Sequence, residues 1–330
     1  MKRNAWILAL CGLLLAGAAL AGDDGGDGKQ RAQRAGQSLI GQPGPAATLT
    51  SIDGQRIDLA ALYGKQPVYL KFWATWCKPC REQMPGFEAL YKQYGKRIAV
   101  VAVNTGYSET EADVRAFREK YGLHMPIVID DGSLAGKLNL RVTPQHVVIG
   151  ADGRILHVGH LDDQELHAAL ERALTTPTAA SAIPLAPQSA EPPAFKVGDR
   201  IGGISVTTMA GKTVALNAGK PRALVFFSPW CESYLRETRP ATAAACERVR
   251  LQTERLAQHR NVEWLGISSP LWTSHDELAA YAKEKHTSIP LALDQNGAIF
   301  RAFGVRQIPT VVMVDAQGRV SKIMESGDVE

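Results

Sequence analysis

Across residues 40–174, apolar positions fall in short blocks whose period switches between that of a strand and that of a helix. Val68-Tyr-Leu-Lys-Phe-Trp73 is a nearly unbroken apolar run, the pattern of a buried strand. Beyond it, apolar side chains recur at Met84, Phe87, Leu90, Tyr91 and Tyr94, which predicts a helix over 77–94. The same reading gives a strand at 98–104, a helix at 111–121, a strand at 127–129 and a short helix near 134–138. Two strands flank the turn-forming Asp152-Gly153, and a helix at 163–174 closes the unit. With a short hairpin ahead of them, these elements predict an α/β fold: a mixed central sheet flanked by helices on both faces.

The pattern occurs twice. Gly41-Gln-Pro-Gly, Asp53-Gly54, a strand and Trp76-Cys77 are echoed by Gly198-Asp, Ala210-Gly211, a strand and Trp230-Cys231. Later, Val142-Thr-Pro144 and Asp152-Gly-Arg154 are matched by Gln307-Ile-Pro309 and Ala316-Gln-Gly-Arg319. Between the copies, 175–194 is rich in Pro, Ala, Ser and Thr and reads as a semi-extended linker. The predicted organisation is therefore a signal peptide at 1–21, a flexible Gly/Asp/Gln-rich lead-in at 22–39, units at 40–174 and 195–330, and the linker between them.

Chemistry enters at Trp76-Cys77-Lys78-Pro79-Cys80, where a strand ends and a helix begins. Unpaired N–H groups and the helix dipole at such a place favour a thiolate on the first cysteine. A thiol one turn further in can close a small disulfide ring, so the pair reads as a two-electron switch. Half of a zinc site is the alternative, but further Cys or His at ligand spacing is missing. His157, His160 and His167 are weighed as a surface metal site and read instead as ordinary surface histidines near a turn, so neither a metal nor a cofactor is expected.

Composition narrows the setting. Residues 2 and 3 are basic, Ala5 to Leu20 is apolar, and Ala19-Leu20-Ala21 suits cleavage before Gly22. This predicts export to the periplasm, with an uncleaved anchor as the alternative. Cys11 would leave with the signal, and the four remaining cysteines are too few for a disulfide-stapled scaffold. The formal charge of +4 over the whole chain provides no argument for nucleic acid as a partner.

Taken together, Lys71-Phe-Trp-Ala-Thr-Trp-Cys-Lys-Pro-Cys-Arg-Glu-Gln-Met-Pro85, Val142-Thr-Pro144 and Asp152-Gly-Arg154 resemble thioredoxin-like disulfide oxidoreductases of the TlpA/ResA type. The resemblance covers Ile40 to Leu174, with a weaker match from Val197 to about Val329, and implies two tandem thioredoxin-like domains. It implies an exported enzyme, in most members a reductase, that draws electrons from a membrane thiol reductase and passes them to protein disulfides. Apocytochrome c and copper-handling proteins are candidate clients. It assigns Cys77 as the attacking thiolate and Cys80 as the resolving thiol, joined as the redox disulfide, with Trp76 beside them. Pro144 takes the place of the family's cis-proline, which would turn the Thr143 backbone toward an incoming extended peptide.

Two positions depart from the wider pattern. Lys71 stands where thioredoxins carry a buried carboxylate; it either serves the Cys80 proton or thiolate, or snorkels from the strand end. Gln83 replaces the acidic residue often found three places after the second cysteine, while Glu82 reads as a solvated first-turn charge.

The second unit keeps Trp230, Cys231 and Pro309 but has Tyr234 at the resolving position and Val225 at that of Lys71. Cys246 lies in an insertion. A straight helix over 231–246 would hold the two sulfurs roughly 22 Å apart. A break at Pro240 would let them meet, and the sequence leaves both open. A peroxidase pattern is incomplete, because Leu224 stands where a proline is expected. Two other readings stand beside the enzyme: a copper-handling or client-binding protein without turnover, and a second unit that recognises the client while the first reacts.

Overall fold

The apolar hexamers at 68–73 and 222–227 each become the central strand of a five-stranded sheet. The computed structural model describes residues 24–178, 193–217, 219–259 and 261–325. The expected signal peptide, Cys11 and most of the linker lie outside the described residues.

In chain order the first repeat comprises α1 (Asp24–Gly36), β1 (Thr48–Thr50), β2 (Arg56–Asp58), α2 (Leu59–Leu62), β3 (Val68–Trp73), α3 (Lys78–Tyr94) and β4 (Ala99–Asn104). There follow α4 (Glu111–Tyr121), β5 (Ile127–Ile129), α5 (Ser133–Lys137), β6 (Gln145–Ile149), β7 (Ile155–Gly159) and α6 (Gln164–Thr175). Its sheet runs β5-β4-β3-β6-β7; β3 pairs parallel to β4 and antiparallel to β6. All six residues of β3 are buried, as a central strand covered on both faces requires. Local signals place the helix ends: α4 begins in a capping box between Thr110 and Asp113 and stops at Gly122, whose φ of 58° is left-handed.

The second repeat comprises β8 (Ser205–Thr207), β9 (Thr213–Ala215), β10 (Arg222–Phe227), α7 (Cys231–Tyr234), α8 (Pro240–Leu256) and β11 (Glu263–Ser268). It continues through α9 (His275–Glu284), β12 (Leu291–Leu293), α10 (Ala298–Ala302), β13 (Thr310–Val314) and β14 (Val320–Glu325). Its sheet order, β12-β11-β10-β13-β14, repeats that of the first. The insertion splits the first helix. A turn after α7 is followed by Pro240 in the first turn of α8, so the chain folds back and Cys231 bonds to Cys246. The straight-helix alternative is thereby overturned.

One expectation needs correction. Residues 24–36, read as part of a flexible lead-in, form a helix packed on β7. Its Gly-rich sequence is a poor helix former, and tertiary contact overrides that propensity. Ala32 and Ala35 are buried, and a Cβ on Gly28 would stand 2.3 Å from the His160 ring. Lys29 pairs with Glu165 at 2.8 Å. Among the described residues no helix is long and apolar enough to cross a membrane.

Candidate active site

The site starts from a strand that stops and a helix that starts. Cys77 caps α3, with Pro79 in the first turn, and its Sγ accepts the backbone N–H of Cys80 at 3.2 Å. Cys77 and Cys80 form a disulfide with their Cα atoms 5.2 Å apart. On the other side, Sγ of Cys77 lies 3.3 Å from the carbonyl oxygen of Thr143, the residue before Pro144. The Thr143–Pro144 bond is cis, as is Ile308–Pro309 in the second repeat. The Trp76 indole N–H donates to the Tyr107 carbonyl at 2.7 Å, fixing the ring beside the disulfide.

A polar cluster gathers in the apolar core around Gln83, which follows Cys80 on α3. Lys71 is 0 % exposed, so it does not snorkel to solvent. Its Nζ donates to Oε1 of Gln83 at 3.1 Å and sits 5.0 Å from the centre of the Phe87 ring. Burial pushes the ammonium down to about 7, against a weaker opposing pull from Asp162. His146, opposite Lys71 across the β3–β6 ladder, places Nε2 3.0 Å from Oε1 of Gln83 and 3.2 Å from the His160 carbonyl. Both neighbours are acceptors, so Nε2 carries the proton and Nδ1 accepts from the Tyr69 hydroxyl at 2.8 Å. Burial, and after it the charge of Lys71, hold His146 well below the usual imidazole range, so it stays neutral.

His160 extends this network to the proline loop. Its Nδ1 donates to the Pro144 carbonyl at 2.7 Å, and its own carbonyl accepts from Gln83 Nε2 at 3.1 Å. It is buried, not one of a set of surface histidines. His167 pairs with Asp162 at 2.8 Å. The described residues hold no group of three His, Cys, Asp or Glu able to take a metal ion.

Across from the disulfide stands the second repeat. The Trp76 and Trp230 rings lie 5.2 Å apart, and the Tyr234 hydroxyl accepts the backbone N–H of Lys78 at 2.9 Å. Trp272 donates its backbone N–H to the Arg141 carbonyl at 2.8 Å and its indole N–H to Oγ1 of Thr143 at 3.4 Å. Arg239 bonds Oγ1 of Thr75 at 2.8 Å and Asp113 at 3.1 Å. With the second repeat in this position, Cys77 is 1 % exposed and Cys80 0 %. Beside them remains a cavity of about 220 Å³ lined by Trp76, Pro79, Trp230, Tyr234 and Trp272, but by neither sulfur.

The sequence singles out Cys77, Cys80, Trp76, Lys71, Thr143 and Pro144; the fold sets Thr143 against the Cys77 sulfur and links Lys71 to the Pro144 carbonyl through Gln83 and His160. The sequence does not single out His146, Tyr69 or Trp272. A histidine in an otherwise apolar strand, opposite a lysine in another, was the available signal for His146. Cys231 and Cys246 form their own disulfide, Cα atoms 6.3 Å apart; Trp230 precedes Cys231, and Pro309 lines a cavity together with Cys246.

The profile of the AhpC/TSA family matches residues 40–158 and 197–323, one match per repeat. The thioredoxin-like protein YneN of Bacillus subtilis is 40 % identical over 134 residues, 40 % of this chain and 78 % of the relative. The thiol-disulfide oxidoreductase ResA of Bacillus thuringiensis is 33 % identical over 137 residues, with the same shares of 40 % and 78 %. Among solved structures, a putative thiol:disulfide interchange protein DsbE from Chlorobium tepidum matches at 26 % identity and a TM-score of 0.37, covering 41 % of this chain and 97 % of that one.

Proposed function

The chain belongs to the AhpC/TSA family and is a thiol–disulfide oxidoreductase, and from that premise we propose that it is exported and reduces protein disulfides through Cys77 and Cys80. The observation that supports this most directly is the Cys77 sulfur capping α3 and accepting an amide N–H, an arrangement that favours an anion.

In the reduced enzyme, the Cys77 thiolate attacks one sulfur of a client disulfide. That S–S bond breaks, a mixed disulfide forms, and the client's second sulfur leaves as a thiolate and takes a proton. Cys80, deprotonated, then attacks Cys77; the mixed bond breaks, and the client sulfur first attacked departs as a thiolate and takes a proton. Two electrons have passed to the client and the Cys77–Cys80 disulfide remains. Lys71, near neutrality and tied through Gln83 to the turn beyond Cys80, is suited to receive the Cys80 proton. Thr143 offers its backbone to the client, and Trp76 walls the site. A membrane thiol reductase would restore the dithiol; apocytochrome c thiols and copper-handling proteins fit as clients because both need reduced cysteines.

Equilibration of the Cys77–Cys80 pair against glutathione tests the direction. A potential at or below about −220 mV is expected, whereas one near the −120 mV of a strong oxidant overturns the reductase assignment. The Cys80→Ser enzyme should accumulate a covalent client at Cys77. Stoichiometric Cu(I) retention without any disulfide turnover would favour the metal-handling alternative instead.

A further inference from the structure

The two repeats meet through the same loops, related by a pseudo-two-fold. In the first repeat, Tyr107 holds the Trp76 indole through its carbonyl, and the next residue, Ser108, gives its backbone N–H to the Arg306 carbonyl at 2.7 Å. In the second, Leu271 holds the Trp230 indole at 2.8 Å, and the next residue, Trp272, gives its N–H to the Arg141 carbonyl at 2.8 Å. Arg306 and Arg141 each stand three places before a cis-proline. Ser108 and Trp272 share the left-handed conformation, at φ 56° and 52°. A non-glycine residue rarely adopts this conformation, and a bulky aromatic one still less often. In both loops the residue in this conformation turns its backbone N–H to the proline loop of the facing repeat.

That contact has the form of a bound peptide. A backbone N–H meets a carbonyl of the proline loop, and a large side chain lies over Thr143, the residue whose carbonyl touches the Cys77 sulfur. A client backbone approaching the proline loop would need the same carbonyl and the same face of Thr143, so the two cannot be present together. Tyr234 meanwhile takes the N–H of Lys78, between the two cysteines. Further out, Arg31 of α1 grips Glu277 and lies 5.7 Å from the Trp272 ring, while Arg239 reaches Thr75 and Asp113. The remaining cavity of about 220 Å³ is smaller than ordinary small-ligand pockets and excludes a polypeptide.

We propose that the second repeat is a built-in occupant of the client groove: Trp272 and Tyr234 take the place of an extended client segment over Cys77, and the repeats must part before a protein disulfide can react. The proposal deepens the reductase reading and rests on it for the client's identity. It does not rest on it for the cover itself. The client is accordingly an extended stretch of polypeptide that competes with residues 271–273, not a small disulfide.

The test uses the reduced full-length chain and two variants that loosen the contact at separate points, Trp272→Ala and Arg239→Ala. Alkylation of Cys77 by iodoacetamide, in which the thiolate displaces iodide, is timed by mass spectrometry at pH 7. Exchange with a synthetic cyclic peptide disulfide is followed in parallel. At least tenfold faster alkylation in Trp272→Ala and a several-fold gain in Arg239→Ala are expected, with peptide exchange rising alongside. Circular dichroism identifies a variant that has failed to fold, and the other then decides. Alkylation equally fast in the wild type and the folded variants overturns the cover, even if peptide exchange is brisk. Faster alkylation with no peptide exchange in any form upholds the cover and overturns the reductase reading.

Discussion

The two repeats have the same sheet order and the same strand register, yet differ at the point where one does chemistry. In the first, β3 sets Lys71 opposite His146; at the corresponding rung of the second, Val225 faces Val311. The first keeps both cysteines on one helix, three residues apart. The second links the start of α7 to the middle of α8, 15 residues on. A shared backbone thus holds a buried amine on the central strand of the repeat with the Cys77–Cys80 pair and a hydrocarbon pair at the same rung of the other. The lesson is that this fold supplies the sulfur at a helix end, while the residues behind it decide whether a proton can be handled there.

The largest test of that contrast is turnover. Cys77→Ser or Cys80→Ser should lower peptide-disulfide reduction by at least roughly a thousandfold, as loss of a residue in the covalent sequence does. Replacing Cys231 and Cys246 together with alanine should retain it. Comparable loss in both experiments would erase the distinction between the repeats.

Next comes the buried charge. Lys71 has a folded pKa of about 7 against 10.5 when unfolded, so the folded protein bears the full cost of the charge at pH 7 and below. That cost fades as pH rises from 7 towards 10.5, where the unfolded state also loses its proton. Lys71→Met should therefore stabilise the protein on the order of 3–5 kcal/mol near pH 7, with the gain shrinking towards pH 10.5, read from denaturant midpoints. The same variant should slow release of a mixed disulfide, separating stability from function. Val225→Lys is the converse, lowering stability by a few kcal/mol, since no Gln–His cluster awaits the amine.

Removing the second disulfide should cost about 3 kcal/mol, the chain-entropy value for a closed loop of 15 residues. A shift in the guanidinium midpoint reports it. The smallest effect is expected at α1. Gly28→Val would push a branched side chain into the His160 ring and loosen the helix from β7, for about 1 kcal/mol and faster amide exchange over 24–36.

Much of the site was legible because its signals are local. The dithiol spacing, the helix beyond it and the recurring proline motif fall within short windows, and the strand at 68–73 and the helix at 111–121 were read with their observed bounds. The role of Lys71 was left between two alternatives, because whether a lysine reaches solvent depends on what covers the strand. Here α3 and the β6 histidine close over it. The helix at 24–36 was missed for a related reason: its residues have weak helical propensity, and only the packing of Gly28, Ala32 and Ala35 on the first repeat gives it a face to bury.

The chain's own order of residues determined two α/β units, each with a cysteine at a strand-to-helix junction, because hydrophobic period and turn chemistry act over a few neighbours. Tertiary structure alone decided that Cys231 meets Cys246, that His146 and Gln83 gather around Lys71, and that Trp272 lies on Arg141 and Thr143, 129 to 131 positions away. Such meetings follow from how whole sheets and loops pack, and no local pattern encodes which surface will cover which.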